Sequence, residues 1–188
     1  MSTSAATTLA QRLFEESGLA SSYQAIDVEL VDVLLAKHFN LSGRLERLAT
    51  EKDDTFRLRA GSGDCLVKVS PPGEPQPVVA LQTAVMRHLE DVAPELPVQR
   101  VRLTVDGDDN VPVTTHEGRT RVLRVFDFIE GAVLARTSAG LEQLAKVGQM
   151  LGRVDRALES FAHPAAQRGL VWDIKHFHEL TQLVEDTP

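Results

Sequence analysis

The run Cys65-Leu66-Val67-Lys68-Val69 sets a single lysine inside a segment otherwise apolar enough to lie within a sheet. A buried ammonium is costly unless a negative group meets it. The fold must therefore bring an anion to Lys68, or let its stem snorkel to a sheet edge. A helix-like segment follows, carrying Gln82 and Glu90. Either could meet the ammonium: Glu90 sits at the end of that segment, and Gln82 can accept one hydrogen bond through its amide oxygen but brings no charge.

The pattern around this strand predicts an α+β fold. Leu9–Leu19 reads as a short amphipathic helix, and Asp27–Phe39 as a stronger one capped by Asp27. Alternation then predicts strands over Arg44–Thr50, Thr55–Ala60 and Asp64–Ser70, with Gly61-Ser62-Gly63-Asp64 as a hairpin turn. Prolines 71, 72, 75 and 77 break the chain before a helix over Val78–Leu89. Extended stretches follow at Leu96–Val105, Val111–Thr115 and Arg119–Phe128. One helix inserted among antiparallel strands implies a five-stranded sheet lobe.

From Thr137 the period is helical. Leu141, Leu144, Val147, Leu151, Val154, Leu158 and Phe161 form one stripe, with Gly148 and Gly152 beside it. Each helical glycine costs roughly 1 kcal/mol against alanine, so close packing on another helix is the expected compensation. Trp172–Val184 is a further amphipathic segment. Its apolar face either packs on the 141–161 helix or belongs to a longer polypeptide. The expected organisation is a tail and short helix over 1–26, a sheet lobe over 27–130, and the truncated start of a helical lobe over 131–188.

Bulk properties exclude several classes. With 188 residues, 43% hydrophobic and 25% charged, the chain is globular. A net charge of −7 argues against nucleic-acid binding through phosphates. No apolar run approaches the roughly 18 residues needed to span a membrane. Met1–Thr8 lacks the basic and apolar regions of a secretory signal. The single Cys65 excludes an internal disulfide and reads as a small buried hydrophobe, so a cytoplasmic location is expected. The six histidines show no metal-ligand spacing.

Two further segments carry candidate chemistry. The turn Thr50-Glu51-Lys52-Asp53-Asp54-Thr55 offers hydroxyls, backbone N–H groups and Lys52 to a phosphate. Its three carboxylates oppose that unless they turn outward or meet a metal, and an ordinary charged turn is the alternative. Arg119–Gly131 runs from an apolar strand into a glycine that opens the helical region. A strand that leads out of one lobe and into another is a place where backbone groups can read a purine, and a plain strand and its turn is the alternative.

Taken together, Leu48–Phe56, Cys65–Val69, Leu81–Leu89, Val122–Gly131, Val147–Leu158, Phe161–Pro164 and Val171–Asp173 resemble the N-terminal part of the aminoglycoside phosphotransferase family. The last two segments are most similar to its hydroxylysine kinase branch, which includes domains fused to class III aminotransferases. The resemblance covers roughly residues 28–180. It implies a kinase-like N-lobe followed by the first helices of a helical C-lobe. It also implies that Lys68 binds the α/β-phosphates of ATP and that Thr50, Lys52, Asp54 and Thr55 belong to the phosphate-covering loop. Asp127, Phe128 and Ile129 would hold adenine. Gln82 stands where the family usually has a glutamate partner for the lysine.

The chain departs from the family in lacking the catalytic His-Gly-Asp segment and the metal-binding Asp-Phe-Gly-like motif. Phosphoryl transfer needs a base near the acceptor and carboxylates on magnesium. The expectation is an ATP-binding portion of a small-molecule kinase, inactive alone, with its Mg ligands and acceptor site elsewhere. The parent would phosphorylate a hydroxyl of a small amine-bearing metabolite. The alternative is a non-catalytic docking or regulatory domain, with an aminotransferase domain as intramolecular partner.

Overall fold

A computed structural model describes residues 24–115, 118–170 and 172–178. The chain divides into two units, Ala25–Ala166 and a second containing Gln167–Pro188 with Met1–Gln24. The expected helix at Leu9–Leu19 and the end of the one at Trp172–Val184 lie outside the described residues.

Asp27 opens α1 (Val28–Phe39), its carboxylate accepting the Glu29 N–H at 3.2 Å. The helix ends where Asn40 turns left-handed, with φ 51° and ψ 38°. Val31, Leu35 and Phe39 recur every fourth residue and are buried. They pack with Phe56, Leu58, Val67, Val69, Leu123 and Val125, which form one face of the sheet. Cys65 lies in the same cluster, and burial pushes its thiol pKa up.

The sheet has six strands: β1 (Gly43–Leu48), β2 (Asp54–Ala60), β3 (Cys65–Val69), β4 (Val101–Arg102), β5 (Val111–Thr114) and β6 (Thr120–Asp127). Their order is β1-β2-β3-β6-β4, with β5 also on β6 and all pairings antiparallel. The expected strand over Leu96–Val105 shrinks to two residues. Arg100 donates to the carbonyls of Pro94 and Leu96, and a turn at Thr104–Asp108 ends the extension. Gly43 is fixed by close approach, since a Cβ there would lie 2.2 Å from the Arg59 carbonyl oxygen.

Asp54 ties these elements together. Its carboxylate accepts the Ile26 N–H at 3.0 Å and Arg121 Nη2 at 2.6 Å, and it pairs with Arg47. Arg47 in turn donates to the Ile26 carbonyl at 2.6 Å. Arg121 also donates from Nε to the Ser70 carbonyl at 2.6 Å, and the Ser70 hydroxyl accepts the Val122 N–H at 3.0 Å. One buried carboxylate thus joins the lead-in to α1 with β1, β2, β6 and the exit of β3.

Between β3 and β4 runs α2 (Gln76–Val92), with Pro77 in its first turn. Leu89 near its C-terminus, with Ala93 and Leu96 just beyond it, packs on Met150, Val154, Ala157 and Leu158 of α3 (Leu141–Leu158). His88 reinforces the contact, with Nε2 2.9 Å from the Ala157 carbonyl oxygen. This choice of face leaves Leu141, Leu144, Val147 and Leu151 exposed. The close packing expected at Gly148 and Gly152 is absent among the described residues, where a Cβ at either position meets nothing within 4 Å. In the second unit Asp173 caps a short 3-10 turn at Ile174–His176, and Trp172 and Phe177 are exposed. No helix among the described residues is long and apolar enough to cross a membrane.

Replacing Asp54 with alanine strands the buried Arg121 guanidinium. Breaking a buried pair in this way costs about 3–5 kcal/mol. Urea denaturation of Asp54→Ala should show a loss of that size, and an unchanged midpoint would contradict the joining role of this carboxylate.

Candidate functional site

The sheet face opposite α1 carries a second set of charges. Leu48, Thr55, Lys68 and Arg124 are successive cross-strand partners on β1, β2, β3 and β6. The next row holds Arg57, Leu66 and Phe126. Residues directly opposite one another share a face, so Lys68 and Arg124 are neighbours.

Lys68 Nζ lies 2.7 Å from Asp53 Oδ2. The partner expected on α2 was Gln82; Gln82 is exposed, and a loop carboxylate holds the ammonium instead. The register explains this. Thr55 faces Lys68 and Asp54 faces Val69, so the chain just before β2 overhangs the lysine. The Lys68 and Asp53 side chains are 31% and 16% exposed, enclosed enough that solvent screens the pair less than one at the surface. Two more contacts hold the loop closed: the Thr50 hydroxyl on the Asp53 carbonyl at 2.5 Å, and Lys52 Nζ on Glu74 at 2.7 Å.

Arg124 is 2% exposed, and its Nε is buried without a hydrogen-bond partner. Burial pushes its pKa down, opposed by the fields of Asp53, Glu74 and Asp109. The Thr55 hydroxyl in the same row is also buried and unpartnered.

Arg57 reaches from β2 to the segment after β6. Its Nε donates to Asp64 Oδ2 at 2.6 Å, it pairs with Glu130, and its Cζ lies 4.0 Å from the Phe128 ring centroid. The hydrogen bond to Asp64 raises its pKa, so the guanidinium stays charged. In the same segment the Asp127 carboxylate accepts from Arg102 Nε at 2.6 Å. The backbone N–H groups of Asp127 and Phe128 donate to the carbonyls of Arg100 and Asp64.

The profile of the phosphotransferase enzyme family matches residues 45–187, a span that contains both charged rows, the loop above them and the segment after β6. This chain belongs to that family. Its fold is that of protein-kinase-like small-molecule kinases. An amicoumacin kinase in complex with AMP-PNP and Ca2+ has a TM-score of 0.66 at 13% identity, covering 87% of this chain and 55% of its own. A microcompartment-associated aminopropanol kinase gives 0.60 at 20% identity, with 80% and 46% covered. A spectinomycin phosphotransferase in complex with ADP and spectinomycin gives 0.55 at 14% identity, with 76% and 40% covered. The chain thus spans about half the length of these structures, between 40% and 55%. No curated protein matches it.

Within this chain the nine candidate residues separate. Lys68, Lys52, Thr50 and Thr55 gather at the loop and the row beneath it. Asp54 does not join them. It is one residue from Thr55, but strand alternation turns it to the opposite face, where Arg47 and Arg121 occupy it. Asp127 and Phe128 have their N–H groups engaged, while Ile129 is exposed and its N–H has no partner among the described residues. No group of three or more His, Cys, Asp or Glu among the described residues is placed to hold a metal ion. A groove of about 380 Å³, lined by Val92, Glu95, Arg153, Arg156 and Ser160, contains none of the candidate residues.

Two arginines of this face escaped the sequence reading. For Arg124 the signal was available, being one charge within the apolar run Val122–Phe126, as for Lys68. For Arg57 it was not, because its partners lie at positions 64, 128 and 130.

Removing Arg57 should free the segment after β6. Backbone amide exchange at residues 128–130 is expected to accelerate about tenfold in Arg57→Ala, the scale of one charge-assisted hydrogen bond. Exchange at Leu123 and Val125 should not change; equal acceleration at both places would mean general loss of stability.

Proposed function

We propose that this chain is the nucleotide-binding part of an ATP-dependent small-molecule phosphotransferase. The observation that carries the reading is Lys68, held in a cationic row beneath the Thr50–Thr55 loop, in a chain of this family. The amicoumacin kinase with AMP-PNP and the spectinomycin phosphotransferase with ADP support a nucleoside polyphosphate as ligand. The row fits such a group, because two cations on one sheet face complement adjacent phosphates.

ATP supplies the γ-phosphoryl group and a good leaving group. The residues of this chain bind and orient it. Lys68 meets the α/β-phosphates once Asp53 withdraws. Thr50, Lys52 and Thr55 close over the phosphates. Adenine lies against Asp127, Phe128 and Ile129, where the free Ile129 N–H is a donor for a ring nitrogen. The chain contains no His-Gly-Asp and no Asp-Phe-Gly segment, so it supplies neither the base nor the Mg carboxylates of phosphoryl transfer. It therefore binds nucleotide without turning it over alone. The aminopropanol kinase supports a hydroxyl on a small amine-bearing molecule as the acceptor for the whole enzyme.

A second reading is a kinase-like docking module, for instance beside an aminotransferase domain. It is favoured by Asp53 already occupying Lys68 and by Arg57 lying over Phe128.

Calorimetric titration of the full chain with ATP separates the two. Saturable binding is expected, weakened about tenfold or more in Lys68→Ala, the scale of a lost charge-assisted contact. Asp53→Asn removes a competing carboxylate and should tighten binding. If neither the wild type nor Asp53→Asn binds ATP, the nucleotide reading fails and the docking module stands.

A further inference from the structure

Arg124 is set apart from the other buried or half-buried arginines of the sheet. Arg121, three residues earlier on β6 and on the opposite face, donates to Asp54 and to the Ser70 carbonyl. Arg100 donates to two carbonyls. Arg124 makes no hydrogen bond or ion pair with any described residue, although it is 2% exposed and its Nε is wholly buried. Its one directed contact is with Phe126, whose ring centroid lies 5.8 Å from its Cζ.

Such a cation is expensive to bury. Nearby acids do not relieve the cost, because each is engaged elsewhere. Asp53 holds Lys68, Glu74 holds Lys52, and Asp109 accepts from the Asn110 amide. Their fields reach Arg124 without their oxygens reaching its nitrogens. The two acids paired with lysines sit on connecting segments, Asp53 before β2 and Glu74 in the turn before α2, so the covering negative charge is carried on loops. The cations Lys68 and Arg124 are opposite one another on paired strands in the middle of the sheet. The rigid part of the site is thus positive, and the negative part can move aside.

We propose that Arg124 is a second cation of the phosphate site, donating to a non-bridging phosphate oxygen of a bound polyphosphate next to the one held by Lys68. The proposal builds on the nucleotide reading but predicts an anion contact that stands without the base. The ligand is a chain of at least two phosphates, since the two cations lie side by side. The Thr55 hydroxyl, the third member of the row, is a further donor with no other partner. Arg124 thereby becomes a positioning group for the polyphosphate, which supplies the acceptor that its Nε lacks among the described residues.

The test uses the full chain and three probes: ATP, inorganic tripolyphosphate and adenosine. Methionine at position 124 keeps the bulk and removes the charge, so Arg124→Met should fold with a denaturation midpoint no lower than wild type. Its affinity for ATP and for tripolyphosphate should fall about tenfold or more, the scale of charge-assisted hydrogen bonds. Adenosine affinity should not change. Arg124→Lys, which keeps a charge but not the fork, should lie between. Phosphate-ligand affinities within about twofold of wild type in Arg124→Met would overturn the assignment and leave a buried water as the partner. So would a loss shared equally by adenosine. A wild type that binds tripolyphosphate but neither ATP nor adenosine sinks the nucleotide reading; the Arg124 assignment then survives only if Arg124→Met loses tripolyphosphate. A wild type that binds none of the three overturns both.

Discussion

A carboxylate shared by two arginines organises this molecule. Asp54 begins β2, and its two oxygens meet Arg47 from β1, Arg121 from β6 and the backbone entering α1. Such a node contributes little against an apolar alternative, but it is costly to break and it admits one register. That register matters because strands alternate. With Asp54 fixed on the α1 side, Thr55 must face the other way, opposite Lys68, with Arg124 beyond it. The structural ion cluster and the candidate ligand row are adjacent residues seen from opposite faces of one sheet.

The candidate site is closed by its own charges. Asp53 on Lys68 and Glu74 on Lys52 hold the β1–β2 loop down, while Arg57 holds the segment after β6 through Phe128 and Glu130. The Lys68–Asp53 and Lys52–Glu74 pairs are partly buried, so each is stronger than a surface ion pair but weaker than several charge-assisted bonds to a polyanion. A polyphosphate is a competitor of the right sign and greater charge. Lys68 already has a carboxylate, and it comes from the loop that an incoming phosphate chain would displace.

Contact between α2 and the helical part of the same unit is concentrated at one end. Leu89, Ala93 and Leu96 meet the C-terminal half of α3, and His88 and the Arg153–Glu95 pair lie at the margin. The apolar stripe from Leu141 to Leu151 faces away from that contact. A helix can serve only one such neighbour along a stripe of this width. The stripe read as a single surface in the sequence is therefore split in the fold, with Val154, Leu158 and Phe161 half-buried and Leu141, Leu144, Val147 and Leu151 open.

Local features were legible from the sequence alone. The cap at Asp27, the fourfold spacing of Val31, Leu35 and Phe39, the alternation of β2 and β3, and the proline break before α2 each act within a few residues. So does the anomaly of Lys68, because one charge in an apolar run is visible without knowing its partner. What only the tertiary structure decided was pairing. Asp53 rather than Gln82 meets Lys68, Asp54 turns from the loop to the scaffold, Arg57 reaches Phe128 and Glu130, and Arg124 stands beside Lys68 with no ion pair to a described residue. Each of these depends on cross-strand register and on which face a residue takes. Register arises from contacts between segments far apart in the chain, 67 residues for Arg121 and Asp54, and no local pattern encodes it.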